Sequence, residues 1–255
     1  MNFPVFDLHC DTALALLGKD LKGGISLLKN EGQLDLERAK TLSGFAQCFA
    51  CFTTPDFTRW YQVSPVVAFE RELANLLYQL EKNEDIIGVC YTADDVQNNL
   101  DQGKMSAILT LEGSAGYGFD PALLEDLYKV GFRIASLGWN EKNPLTGSHV
   151  TGGGLTDRGR EYVKECQRLG ILVDVSHISD EGFWDIMDVT QAPIVATHSN
   201  SRAMWNSTRN LTDEMFLEIC RRVLGKDIYE ILIKGYTEKQ WMKPIQQLPP
   251  DLMRR

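Results

Sequence analysis

Short apolar runs recur along the chain at Phe3–Leu8, Gly44–Phe52, Ser106–Leu111, Phe132–Leu137, Ile171–Ser176 and Pro193–Thr197. Between them, Phe69–Lys82, Pro121–Val130, Thr156–Leu169 and Asp180–Val189 carry apolar residues at helical spacing, with Asp157 or Ser179-Asp180 placed to cap two of the starts. Strands that alternate with helices predict a parallel α/β protein. Six βα steps are recognisable, and Ile86–Tyr91 is a weaker run, either a further short strand or a connection. After about residue 220 the pattern changes: Asp227–Lys234 and Glu238–Gln247 read as helices, and no two clear strands remain to complete an eightfold barrel. The expectation is therefore a single α/β domain over 1–255, a TIM-type (β/α) barrel that is incomplete, with 221–255 an atypical helical C-terminal segment. Asn140–Gly154, with Pro144, Gly147 and glycines at 152 to 154, is too permissive for regular structure and reads as an active-site loop.

Composition narrows the function classes. A chain of 255 residues with 44% hydrophobic and 24% charged residues can bury a sizeable core, which excludes disordered and fibrous proteins. The net charge of -9 and the lack of a Lys/Arg-rich run leave no surface for a phosphate backbone, so nucleic acid is excluded as a partner. No stretch reaches the roughly 18 apolar residues that span a bilayer, and the start has no basic segment followed by an apolar one. A cytoplasmic protein without membrane contact is expected, and its 6 cysteines are expected to be free thiols. Cys48 and Cys51, three residues apart on one predicted strand, should face opposite ways as small core residues.

Ionisable residues gather at the carboxyl ends of the predicted strands. His9 and Asp11 follow the first, and an i, i+2 pair on extended backbone projects to one side, as two ligands of one metal require. Glu112 ends a run of mostly apolar residues, where a carboxylate is costly unless a cation or donor meets it. His177 and His198 end the fifth and sixth runs, so three of the 4 histidines hold one topological position, the end of a parallel barrel where active sites are built. Nitrogen and oxygen donors without thiolates suit zinc, with manganese or cobalt as substitutes. Asp174 lies an odd number of residues before His177 and should face away from the metals, as a supporting or structural carboxylate. Trp139 reads as a pocket wall beside Asn140, and His149 as a surface residue.

These residues sit in motifs that resemble the membrane (renal) dipeptidase family of amidohydrolase-type metallopeptidases. The resemblance runs in order through Phe6-Asp7-Leu8-His9-Cys10-Asp11-Thr12, Leu111-Glu112-Gly113, Leu155-Thr156-Asp157-Arg158-Gly159, Val173-Asp174-Val175-Ser176-His177 and Ala192 to Arg202, and covers roughly residues 3 to 215. It implies a (β/α)8 barrel and a binuclear zinc site. His9 and Asp11 match the ligands of one ion, Glu112 the carboxylate that bridges both, and His177 and His198 the ligands of the second. Arg209 matches the arginine that holds the terminal carboxylate of the substrate, with Trp139 and Asn140 lining the same site. The implied reaction is hydrolysis of a dipeptide by metal-activated hydroxide, with Glu112 as the catalytic carboxylate. Members often pair, so a homodimer is expected.

Two departures from the family pattern qualify that expectation. Where many relatives carry a histidine after the fourth strand, this sequence reads Leu137-Gly138-Trp139-Asn140. The Gly-Ser-Asp-Phe-Asp-Gly-like segment that bears the proposed acid/base aspartate has no counterpart, and Asp213, Asp227 and Asp251 do not match its position. A general acid/base often contributes about a hundredfold to rate. Two alternatives therefore stand beside the dipeptidase: a catalytically impaired relative that binds metal or a small ligand, and an amidohydrolase acting on another small amide or a lactam.

Overall fold

The computed structural model of the protein describes residues 4–224. The first half runs β1 (Val5–Cys10), α1 (Thr12–Leu16), α2 (Leu36–Ala39), β2 (Phe45–Phe52), α3 (Phe57–Tyr61), α4 (Pro65–Lys82), β3 (Ile87–Val89), α5 (Ala93–Asp101) and β4 (Met105–Glu112). The second half runs α6 (Leu124–Val130), β5 (Phe132–Ser136), β6 (Thr146–Ser148), β7 (Gly152–Leu155), α7 (Asp157–Leu169), β8 (Leu172–Asp174), α8 (Asp180–Val189), β9 (Ile194–Val195) and α9 (Asp213–Leu224). The helices predicted at Asp227–Lys234 and Glu238–Gln247 lie outside the described residues.

A parallel sheet in the order β1-β2-β4-β5-β8-β9 carries the fold. β2 pairs along the whole of β4, from Ala46 opposite Ser106 to Phe52 opposite Glu112, so β3 and β5 share the other edge of β4. Side chains alternate across the strands. Ala107, Leu109 and Leu111 point outward to Leu76, Tyr162 and Phe183 of the helical layer, while Ala46, Cys48, Ile108 and Ile134 form a smaller inner cluster. Cys48 lies in the inner cluster and Cys51 in the outer one, on opposite faces as the spacing predicts. The sheet curls strongly. His9 on β1 and His198 beyond β9 belong to the two ends of the strand path, yet their rings stack with centroids 3.7 Å apart. This is the curvature of a TIM-type barrel, open among the described residues between β9 and β1, where the inner-face Phe6 is 59% exposed.

Local signals explain the helices. α4 starts earlier than its apolar spacing suggests because the Ser64 hydroxyl accepts from Val67 N–H and Pro65 occupies the first turn. α7 is capped by Thr156 rather than Asp157, and α8 by Ser179. α5, missed by the apolar pattern, is set by a capping box between Thr92 and Asp95. The weak run at Ile86–Tyr91 is a strand, β3. The glycine-rich loop is a correction, because part of it is the antiparallel pair β6–β7. Its glycines permit close backbone approach rather than disorder: a Cβ on Gly147 would lie 1.8 Å from the Gly152 carbonyl oxygen.

One glycine fixes the end of β4. Gly113 adopts φ +80°, and a Cβ there would meet the Thr53 carbonyl oxygen at 2.0 Å. Gly113→Ala is expected to destabilise the fold by about 2–3 kcal/mol through combined backbone strain and overpacking, measured as a lowered midpoint in urea at unchanged m-value.

Candidate metal centre

Glu112 is the last residue of β4, with its carbonyl bound by Thr53 N–H at 2.8 Å and the next amide, Gly113 N–H, donating to Ser136 Oγ at 2.8 Å. Its side chain is thereby aimed over the barrel mouth, where only 5% of the residue is exposed. The two carboxylate oxygens face different imidazoles. Oε2 lies 3.3 Å from His9 Nε2, whereas Oε1 lies 2.9 Å from His177 Nε2 and 3.3 Å from His198 Nε2. Burial alone would raise the carboxyl pKa, but the surrounding imidazoles of His177, His198 and His9 hold it far below the usual carboxylate range. Burial also opposes charge on His9, yet hydrogen bonds to Asp11 and Glu112 outweigh it and raise that pKa to about 10. For His177 burial prevails and lowers the value to about 4, so this ring is neutral at pH 7.

The donor set fits a cation. His177 Nε2 and His198 Nε2 approach to 2.9 Å while both face Glu112 Oε1. His177 Nδ1 lies 2.9 Å from Asn140 Oδ1, an acceptor, so Nδ1 carries the proton and Nε2 presents a lone pair. Glu112 Oε1, His177 Nε2 and His198 Nε2 can each present a lone pair to one point, an arrangement that a metal ion can bind. His9, Glu112 and His198 each offer a ligand atom within 4.8 Å of the others. His177 reaches the centre from an unusual backbone, φ 70°, a conformation uncommon for residues other than glycine. The turn is braced by His149 N–H donating to the His177 carbonyl at 2.8 Å and by a bridge between Ser148 and Ile178.

The predicted residues take different stations. Asp11 stands at the N-cap position of α1 without a side-chain capping bond, is 67% exposed at its side chain, and places Oδ1 3.4 Å from His9 Nε2. Trp139 packs edge-on against Phe52 and Trp60 with its ring centroid 6.1 Å from that of His177. Arg209 donates from Nη1 to Ser199 Oγ at 2.8 Å, and no carboxylate pairs with it among the described residues. Burial lowers its pKa against the opposing fields of Asp174 and Glu112. By contrast Arg202 is engaged bidentately by Asp180 at 2.7 and 2.6 Å.

Two expectations need correction. His149 is not a free surface residue: it is half-buried, with Nε2 2.8 Å from Asn140 Oδ1 and Nδ1 3.3 Å from Thr208 Oγ1. Asp174 does not face away. β8 ends at Asp174, and the positive φ of His177 breaks the two-residue alternation on which that reading depended. Its carboxylate turns inward, where Thr197 N–H and Oγ–H donate to it at 3.1 and 2.6 Å. Thr197 itself was missed, as an ordinary strand-end residue in sequence.

An imidazole and carboxylate cluster at the carboxyl ends of a curled parallel sheet defines a metal-dependent hydrolase barrel. The chain belongs to the membrane dipeptidase family, peptidase family M19, whose model matches residues 1–222. It is 29% identical to a metallopeptidase from Rhodobacter sphaeroides solved with a phosphinate mimic of the dipeptide L-Ala-D-Ala; the match covers 88% of this chain and 72% of that one, with a TM-score of 0.77. It is 32% identical over 241 residues to an uncharacterised protein in the PQQ-III 3′ region of Acinetobacter calcoaceticus, covering 83% of this chain and 75% of that protein. With Dipeptidase tcpJ of Claviceps purpurea it shares 29% identity over 140 residues, 53% of this chain and only 33% of that enzyme.

Metal uptake should be coupled to protons with a definite sign. His9 is protonated below about pH 10 when no ion is bound, and a ligand imidazole must be neutral. Calorimetry at pH 8 in buffers of different ionisation enthalpy is expected to show about one proton released on zinc binding, with apparent affinity weakening as pH falls.

Proposed function

We propose that the chain is a zinc-dependent dipeptidase with two ions, of which His9 and Asp11 would hold one and His177 and His198 the other, with Glu112 the carboxylate shared between them. The observation that carries this reading is the division of labour at Glu112, where Oε2 addresses His9 and Oε1 addresses His177 and His198. These residues would hold zinc, which would supply Lewis acidity toward the scissile carbonyl and a hydroxide nucleophile at neutral pH. The protein contributes orientation and exclusion of water. Glu112 holds the imidazoles of three separate chain segments around one carboxylate, and Trp139, with Phe52 and Trp60 behind it, walls the site beside His177.

Arg209 gives the reading its substrate. A half-buried guanidinium that has no carboxylate partner among the described residues is suited to a bidentate grip on the free carboxyl end of a very short peptide. The dipeptide mimic in the Rhodobacter sphaeroides relative supports the same substrate class. In this reading the protein acts in the cytoplasm as a homodimer; among the described residues no helix is long and apolar enough to cross a membrane.

Turnover of a dipeptide panel should disappear on chelation and return with zinc. Glu112→Gln should lower kcat by about a hundredfold or more. Arg209→Ala should lower kcat/KM for free dipeptides by about 10–100-fold while leaving carboxyl-amidated substrates nearly unchanged. Full activity after metal removal would overturn the mechanism. Zinc binding without turnover would favour the impaired relative, which the absent acid/base aspartate motivates. Preference for a lactam or another small amide would favour the third reading.

A further inference from the structure

We propose that Asp174, acting through the Thr197 hydroxyl, sets the tautomer of His198 and so holds its Nε2 ready as a metal ligand. Asp174 is a positioning residue in this scheme and touches neither metal nor substrate. The inference rests on the reading of His198 as a ligand.

One hydrogen-bond chain with a fixed number of protons runs from Asp174 to His198. Asp174 is 4% exposed, and its Oδ1 is gripped by two backbone amides, Ser176 N–H at 2.9 Å and Thr197 N–H at 3.1 Å. That grip aims Oδ2 at Thr197 Oγ1, which donates to it at 2.6 Å, a short charge-assisted contact. A hydroxyl has one proton to give. Thr197 Oγ1 also lies 2.8 Å from His198 Nδ1 and, having spent its proton on Asp174, can only accept there. His198 Nδ1 must therefore carry the ring proton, which leaves a lone pair on Nε2. The competing contact from Thr197 Oγ1 to Ser176 Oγ is longer, at 3.4 Å, and uncharged. The other face of the chain is consistent with this direction: His198 Nε2 points at Glu112 Oε1 and His177 Nε2, where a lone pair serves a cation and a proton would block one.

Neighbouring ligands reach the same state by different means. His177 uses the amide oxygen of Asn140 directly. Among the described residues His198 Nδ1 has no acceptor at that distance other than the threonine, which is neutral and can turn either way; the buried carboxylate behind it removes the choice. Outer partners of metal-bound histidines typically contribute 10–100-fold to metal affinity.

Zinc dissociation constants measured by chelator competition on the purified full chain test the proposal, with thermal midpoints of the zinc-free proteins recorded alongside. Thr197→Val removes the hydroxyl at nearly constant shape and is expected to weaken zinc binding about 10–100-fold, while Thr197→Ser, which keeps the hydroxyl, stays near wild type. Asp174→Asn can donate to Thr197 and reverse the chain, so it should weaken binding to a similar extent. Because the two residues act in series, the double variant should lose no more than the worse single one. Binding by Thr197→Val within threefold of wild type, or losses that multiply in the double variant, would overturn the relay while leaving the metal site intact. A wild-type chain that binds no zinc would overturn the metal reading itself, and the relay with it. Should Asp174→Asn fail to fold, the Thr197 valine and serine pair decides the matter alone.

Discussion

A carboxylate taken out of water costs several kcal/mol unless opposite charge or hydrogen-bond donors meet it, and the mouth of this barrel is organised around that requirement at Glu112. The groups that meet it come from far apart in the chain: His9 from β1, His177 from the turn after β8 and His198 from beyond β9. They can converge only if the sheet curls until its two ends approach, which the stacked rings of His9 and His198 record. The continuous β2–β4 register then sets the height of Glu112, and Gly113 lets the chain leave β4 without colliding with the Thr53 carbonyl. Fold and site are in this sense one constraint: parallel pairing places the strand ends level, and the level strand ends bring the titratable side chains together.

Much of this was legible in the sequence for an identifiable reason. Strands buried between an inner and an outer layer need apolar residues on both faces, so β2 and β4 announce themselves as runs, and a polar residue at the end of such a run is conspicuous. Glu112, His177 and His198 were found that way. Other features depend on signals of a different kind. α5 buries no residue completely and has only Val96 and Leu100 as larger apolar residues, so the Thr92/Asp95 box is the clearer mark of its start. The β6–β7 pair is built from glycines whose role is steric permission, which a rule treating glycine as a breaker misreads.

The side-chain direction expected for Asp174 differs from the structure because alternation was extended past the point where the strand stops. Two-residue parity holds only while the backbone is extended, and β8 is extended for three residues, Leu172–Asp174, before His177 enters the left-handed region. His149 is drawn in by partners far off in sequence, Asn140 and Thr208, that no local pattern reveals. Sequence reasoning was strongest where one residue's cost of burial decided its role, and weakest where a role depended on a hydrogen bond between loops.

The placement of Cys48 and Cys51 on opposite faces of β2 gives the molecule an internal reporter. Both are fully buried, as are Cys166 and, almost fully, Cys90, and burial pushes the Cys48 thiol up to about 12. Thiolate is the reactive species, so an alkylating reagent finds these sulfurs inert until the elements that bury them separate. The rate at which they become modified then measures how often the barrel opens, independently of whether the active site is intact. Nor can the adjacent pair oxidise to a local disulfide while β2 stays paired, since its two sulfurs are separated by the thickness of the sheet itself.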